Sequence, residues 1–349
     1  MESYDIVEWG KPLQKIVRET PVPVGPEVRV KISGCGVCHS DIHIQDGYLD
    51  LGEGKQVTFE SIGAKLPFTM GHEIVGVVDA VGPEADAVLG SRCVVYPWIG
   101  CGVCRQCREG HELDCSSSAG LGTRRAGGYS DYVIVPHSRY LLDYGPLDPL
   151  IAATCACSGL TAWSALKKLP ALSGDDTVVL LGAGGLGLAA LGLARAATPA
   201  RIVVADIDDE RLSLALSKGA DAVVNTRSND AVAALHAVSG EAPRAVIDFV
   251  GAASTVEFSL QAVGKGGTVL VVGLFGGRLP LATALLPMRN ITLRGSYVGS
   301  LAEMRELLAL LQQQPLLNVP LFQVPMAELN ERLDEMRAGK LIGRAIATP

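Results

Sequence analysis

The spacing of apolar and polar positions changes character along the chain. Up to about residue 150 the apolar runs are short and alternating: Val28/Val30/Ile32, IVGVV at 74–78 and YVIV at 132–135, separated by Gly and Pro clusters. Period-two runs between turn formers predict an irregular β-rich unit. From about 153 to 293 apolar strands alternate with helical stretches: TVVLL at 177, IVVA at 202, AVVN at 222, AVIDFV at 245, GTVLVVG at 267 and ITLRG at 291. Six such strands with helices between them predict an α/β fold built on a doubly wound parallel sheet. After Gly295 the pattern predicts a helix over 301–313, a second over 326–338 and a short strand at 344–347. A tail of that size cannot enclose its own core, and chain termini tend to lie together. It is expected to pack back on the first unit, giving a discontinuous domain of 1–152 plus 294–349 around a domain of 153–293.

Composition narrows the function classes. A chain of 349 residues exceeds what one core usually serves, in agreement with two domains. The formal charge of -7 and scattered basic residues argue against a nucleic-acid surface, which needs clustered Lys and Arg. Residues 177–194 and 149–166 each run without a formal charge, but the first holds five glycines and the second is interrupted by Thr, Ser, Cys and Gly. Both read as buried core, and no membrane partner is expected. The start, MESYDIVEWGK, is acidic and lacks an apolar leader, which predicts a cytoplasmic protein.

Nine cysteines in such a protein point to metal or catalysis before disulfides. Cys101, Cys104, Cys107 and Cys115 sit in CGVCRQCREGHELDC, where two-residue spacers let neighbouring sulfurs converge on one tetrahedral ion. Four thiolates leave no open position, so this zinc is expected to be structural. An iron–sulfur cluster is the lesser alternative, because no Pro follows the fourth cysteine. Cys38, His72 and Cys157 form a different set: two thiolates and one imidazole leave the fourth position free for water or substrate, as catalytic zinc requires. Each is weak alone.

GAGGLG, Gly182 to Gly187, follows the strand TVVLL and opens a small-residue helix, the context a dinucleotide fingerprint needs. Gly182 allows the tight turn, Gly184 and its neighbours Gly185 and Leu186 bring backbone to the pyrophosphate, and Gly187 allows helix-on-strand packing. Asp206, at the end of IVVA, is placed to accept the adenine-ribose hydroxyls and to repel a 2′-phosphate, so NAD is favoured over NADP.

Taken together, VCHSD, GHE, the four-cysteine lobe and C-x-G-x-T at 157–161 resemble the zinc-dependent alcohol dehydrogenases of the medium-chain dehydrogenase/reductase superfamily. CHSD and GSYVG are more similar to its tetrameric microbial members. The resemblance implies a GroES-like catalytic domain beside a Rossmann domain, two zincs and NAD, and a homotetramer with a dimer as the alternative. It implies reversible hydride transfer between a primary or secondary alcohol and NAD. The C-x-G-x-T match makes Cys157, rather than Cys155, the third ligand of the catalytic zinc. Ser40 then resembles the hydroxyl that bonds the substrate oxygen, and His43 the outer end of a proton relay. Asp41 resembles an acceptor behind His72, and Glu73 an inner carboxylate near the metal. Thr161 is similar to the residue that buttresses the nicotinamide, and Trp98 to an aromatic wall of the substrate pocket. His39 and Arg344 match pyrophosphate contacts, and Arg211 a ribose-side cation. Val272, Gly273, Leu274, Ser296, Tyr297 and Val298 match backbone contacts to the carboxamide.

The chain also departs from its relatives. The stretch from 47 to 70, between two metal ligands, is longer than in the yeast-like enzymes and fits equally a wall of the substrate cleft or a solvent-facing hairpin. Two rivals stand beside the main reading. One is an NADPH-dependent ketone or aldehyde reductase of the same fold, disfavoured by Asp206. The other is a non-catalytic sensor that binds zinc and NAD, disfavoured by an intact Ser40 and His43.

Overall fold

In the computed structural model, which describes every residue but 318, the six apolar runs form one parallel sheet. Its strand order is Ala222–Asn225, Arg201–Asp206, Thr177–Leu181, Ala245–Asp248, Thr268–Val271 and Thr292–Gly295. Val, Ile and Leu dominate the central strands because helices cover both faces, and Val178 to Leu180 are fully buried. The order reverses between Thr177–Leu181 and Ala245–Asp248. A crevice opens at such a point, beyond the carboxyl ends of the strands. Gly182 lies there at φ 99°, a backbone conformation open to glycine, and the helix Gly185–Ala197 starts immediately after it.

The β-rich unit is a mixed sheet ordered Leu141–Leu142, Arg92–Val95, Glu73–Val81, Val28–Gly36, Arg344–Thr348 and Leu321–Pro325, with Tyr132–Val135 also pairing Val28–Gly36. The C-terminal strand therefore lies against an N-terminal one, with Ile346 opposite Gly36 and Ala347 opposite Cys35. Its parallel neighbour Leu321–Pro325 is a strand that the pattern did not predict: LFQVP is broken by Gln323 and bounded by Pro320 and Pro325, residues that read as loop. The helix expected over 326–338 is a 3₁₀ turn, Met326–Glu328, running into Leu329–Arg337.

The charge-free stretch 149–166 is two buried helices, Pro149–Thr154 and Ser158–Lys167, with Cys155 to Cys157 at the bend. The second helix packs on Gly185–Ala197 and on Leu301–Gln313, so it seats the crevice from below. Among the described residues no helix is long and apolar enough to cross a membrane.

Gly187 shows how tightly helix and strand approach. A Cβ there would stand 1.8 Å from the Gly182 carbonyl oxygen, which is backbone and cannot swing away. Gly187→Ala is expected to destabilise the fold by about 1–3 kcal/mol, the usual cost of overpacking, read as a lower urea midpoint at unchanged slope.

Candidate active site

Three remote segments bring their polar groups to one buried point. Cys38 caps the helix His39–Asp46, His72 and Glu73 open the strand Glu73–Val81, and Cys157 caps Ser158–Lys167. One ligand atom from each of Cys38, His72, Glu73 and Cys157 lies within 4.8 Å of all the others, and all four residues are buried. The two sulfurs are 3.9 Å apart. Cys155 is turned away and points its thiol at the Ile151 carbonyl, 3.4 Å off. Nε2 of His72 is buried without a hydrogen-bond partner. A buried imidazole nitrogen facing two thiols is what a soft or borderline cation such as zinc requires, so the donor set fits the metal.

The groups behind the cluster are polar as well. Asp41 accepts from the Cys38 N–H at 2.9 Å and the Tyr129 hydroxyl at 2.6 Å, and turns its other oxygen to His72 Nδ1 at 3.3 Å. Burial works against a charged His72, but Asp41 and Cys38 outweigh it and raise its basicity. Arg344 pairs with Glu73 at 3.0 Å and donates to the Val37 carbonyl at 2.9 Å. Burial pushes the Glu73 carboxyl up to about 7 against the pull of Arg344. Gly36 has no space for a side chain here, since a Cβ would meet Glu73 Oε2 at 2.0 Å.

Cys101, Cys104, Cys107 and Cys115 also converge within 4.8 Å of one another. The short helix Arg105–Arg108 and the turn Glu112–Asp114 carry them. Backbone N–H groups of Cys104 and Cys107 point at the sulfurs of Cys101 and Cys104, at 3.4 and 3.5 Å. Such bonds favour the thiolate and pull the Cys101 thiol down to about 6, chiefly through the Val103 and Cys104 amides. Glu112 ties the lobe to the body by accepting from the Gly100 N–H at 2.8 Å and the Tyr140 hydroxyl at 2.7 Å.

A cavity of about 750 Å³ joins the metal cluster to the crevice of the parallel sheet. Cys38, Ser40, His43, Trp98, Cys157 and Thr161 line one part; Gly182, Gly184, Gly185, Leu186, Gly187, Asp206 and Arg211 line the other. Between them stand Val272, Gly273, Leu274, Tyr297, Val298, His39 and Arg344. Asp41, His72 and Glu73 lie behind the lining. No atom comes within 4 Å of where a Gly184 Cβ would be, and the helix Gly185–Ala197 presents its N-terminus there, a cradle that fits a pyrophosphate.

Several of these residues make further contacts of their own. The Ser296 hydroxyl is turned to Lys168 Nζ at 2.8 Å and does not line the cavity. Arg344 spends donors on Glu73 and Val37 as well as facing the cavity. Both oxygens of Asp206 already accept backbone N–H groups, from Ala183 at 2.6 Å and Asp208 at 3.0 Å, so it braces the glycine turn in addition to facing the cavity. Val298 stands at φ 35°, a conformation that β-branched residues avoid, and the Tyr96 hydroxyl holds the next carbonyl, Gly299, at 2.9 Å.

The sequence left open whether the stretch after Gly47 walls the cleft, and it named no residue there. The stretch after Gly47 forms a hairpin, Tyr48–Gly52 and Lys55–Thr58, and Leu49, Phe59 and Ile62 line the cavity. The hairpin tip reaches the other half of the molecule, where Glu53 pairs with Arg278 and Asp50 abuts Gly276. Tyr129, which holds Asp41, carried no signal, because one Tyr after two glycines has no spacing to betray it.

Residues 25–144 match the alcohol dehydrogenase GroES-like domain and residues 185–313 the zinc-binding dehydrogenase domain. The NAD-dependent alcohol dehydrogenase of Sulfurisphaera tokodaii is 35% identical over 352 residues, covering 100% of both chains. The chain belongs to the zinc-dependent alcohol dehydrogenase family. The alcohol dehydrogenase of the hyperthermophilic archaeon Aeropyrum pernix superposes with a TM-score of 0.90 at 29% identity, over 100% of each chain. Family members differ in cofactor: the D-arabinose 1-dehydrogenase (NADP(+)) of Saccharolobus solfataricus is 30% identical over 347 residues, covering 98% of this chain and 96% of that one.

Asp41→Asn keeps an oxygen for Cys38 and Tyr129 but turns an amide donor toward His72 Nδ1. That favours the tautomer with its proton on Nε2, the nitrogen aimed at the cluster. Zinc affinity of this site is expected to fall about 10–100-fold, a typical cost for removing a partner behind a ligand, in a chelator competition with unchanged far-UV circular dichroism.

Proposed function

We propose that the chain is an NAD-linked alcohol dehydrogenase with a catalytic zinc on Cys38, His72 and Cys157 and a structural zinc on Cys101, Cys104, Cys107 and Cys115. The observation that carries this reading is the single cavity with Cys38, Cys157 and Ser40 at one end and the glycine turn and Asp206 at the other. When bound, zinc supplies a Lewis acid for the alcohol or carbonyl oxygen, and NAD supplies the site that takes or gives the hydride.

The chain's own residues supply position and proton transfer. Ser40 Oγ, 3.7 Å from Cys38 Sγ, is placed to bond the substrate oxygen and pass its proton outward. His43 lines the same cavity and is the next acid–base group on that helix. Burial, then the neighbouring His39, lowers its basicity below the ordinary 6.5, so it is neutral and able to accept a proton at pH 7. Glu73, held by Arg344, is the carboxylate within the ligand cluster itself. Thr161 and the Val298 backbone back the nicotinamide, and Trp98, its Nε1 donating to the Ala156 carbonyl at 2.9 Å, is a fixed wall for the substrate. Asp206 favours NAD over NADP. Arg211 and His39 serve the ribose and pyrophosphate, and the backbone of Val272, Gly273, Leu274, Ser296 and Tyr297 the carboxamide.

The rest of the proposal is organisational. The division into 1–152 with 294–349 and 153–293 is supported by the strand Arg344–Thr348 lying against Val28–Gly36, the strand Thr292–Gly295 straddling the second boundary. Within the expected homotetramer, one pairwise contact is supported by the strand Thr292–Gly295, an edge exposed along its length beside exposed Leu285 and Met288, to which a second copy adds. Nine unpaired cysteines support the cytoplasm.

Elemental analysis should find close to two zincs per chain; one would remove half of the metal assignment. At equal concentrations NADH should support carbonyl reduction far better than NADPH, and the reverse preference would overturn the role given to Asp206. For alcohol oxidation, protonation of His43 removes the proton acceptor, so kcat falls as pH drops through its lowered pKa. The acid limb is expected below pH 6.5, and His43→Gln should lower kcat and abolish that limb in a pH–rate profile.

A further inference from the structure

Past Trp98 the cavity extends along a surface that the proposed reaction does not use. Leu49, Phe59, Ile62, Ile99 and Leu113 give it an apolar lining, and among them stands one cation, Arg124. Its segment is firmly seated: the Ala119 N–H donates to the Ile99 carbonyl at 2.8 Å, the Leu121 N–H to the Pro97 carbonyl at 2.9 Å, and the Arg124 N–H to the Gly120 carbonyl at 3.0 Å. Nη1 of Arg124 donates to the Ser118 carbonyl at 2.6 Å. That uses one of five guanidinium donors.

Among the described residues no carboxylate pairs with Arg124. Glu112, the acid nearest in the lining of this end, is already taken by Arg139 at 3.2 Å as well as by Gly100 and Tyr140. Arg344 and Arg337, which also line the cavity, pair with Glu73 at 3.0 Å and Asp46 at 2.9 Å. Arg211 belongs to the cofactor end. Tyr297 spans the gap between the reacting centre and Arg124: its ring is edge-on to Trp98 with centroids 5.7 Å apart, and Trp98 in turn lies 5.4 Å from His72.

A reacting oxygen at the metal, an apolar passage and an unpaired guanidinium beyond it together describe a ligand. We propose that the preferred substrate is an alcohol or aldehyde with a carboxylate at its far end, separated by an apolar spacer of a few carbons, and that Arg124 binds this carboxylate. A guanidinium meets a carboxylate through two parallel N–H donors, and apolar walls strengthen the pair by keeping water away. The inference rests on the alcohol dehydrogenase reading and adds the substrate class to it.

The test uses the zinc-loaded full chain with NAD and matched pairs: ω-hydroxycarboxylates of increasing length, each against its methyl ester. At one chain length kcat/KM is expected to favour the carboxylate roughly tenfold or more, the scale of one charge-assisted contact. The preference should shrink with added salt, disappear in Arg124→Gln and survive in part in Arg124→Lys. Equal kcat/KM for acid and ester at every length, or a preference that persists in Arg124→Gln, would overturn the assignment while leaving the dehydrogenase reading intact. Turnover of neither member of any pair by an enzyme that oxidises plain primary or secondary alcohols with NAD would likewise overturn the assignment, whereas failure with every alcohol would remove the dehydrogenase reading and this inference with it.

Discussion

The arrangement depends on the cost of holding Cys38, His72, Glu73 and Cys157 together out of water. Two thiols, an imidazole and a carboxylate within 4.8 Å of one another have too few hydrogen-bond donors to satisfy them. Arg344 balances Glu73, and Asp41 with Tyr129 orients His72, but the centre of the cluster still requires a cation. The need for one brings together three segments that are far apart in the sequence. The pairing of the C-terminal strand with Val28–Gly36 is part of this solution, because it delivers Arg344 to Glu73 from the far end of the chain.

The same strand pairing makes the cleft a junction between two differently built halves. The parallel sheet contributes its switch point, where helix N-terminus and glycine backbone suit a pyrophosphate, and its half also supplies Cys157; the β-rich half contributes Cys38, Ser40, His72 and Glu73. The hairpin Tyr48–Gly52 with Lys55–Thr58 reaches from one half to the other, its tip held by Glu53 on Arg278. Leu49, Phe59 and Ile62 of the stretch between Cys38 and His72 line the cavity, which favours the cleft-wall reading over a hairpin facing solvent alone.

Local strain gathers at the same junction. Val298 at φ 35° is a conformation that a β-branched residue avoids. Lys168, half-buried and bonded to Ser164 and Ser296, and Tyr96, bonded to Gly299, hold the strained segment in place. Val298 faces the cavity, and the residues that restrain its segment sit at the end of the helix Ser158–Lys167 and of the strand Arg92–Val95. This is the distribution expected when rigid elements support a binding surface.

What the sequence determined by itself is local chemistry and local period. The four cysteines in fifteen residues, the glycine turn after an apolar strand and the six strand runs are contiguous signals, and contiguous residues meet whatever the rest of the chain does. The short strand Leu321–Pro325 escaped because prolines bound it on both sides and read as loop. Only the tertiary structure decided which distant groups share a site. Cys157 faces Cys38 while Cys155 faces a carbonyl; Ser296 turns to Lys168; Asp206 braces the glycine turn; and Arg124 stands unpaired in an apolar wall. Each outcome depends on the direction in which a side chain leaves a packed element, and packing between segments sets that direction.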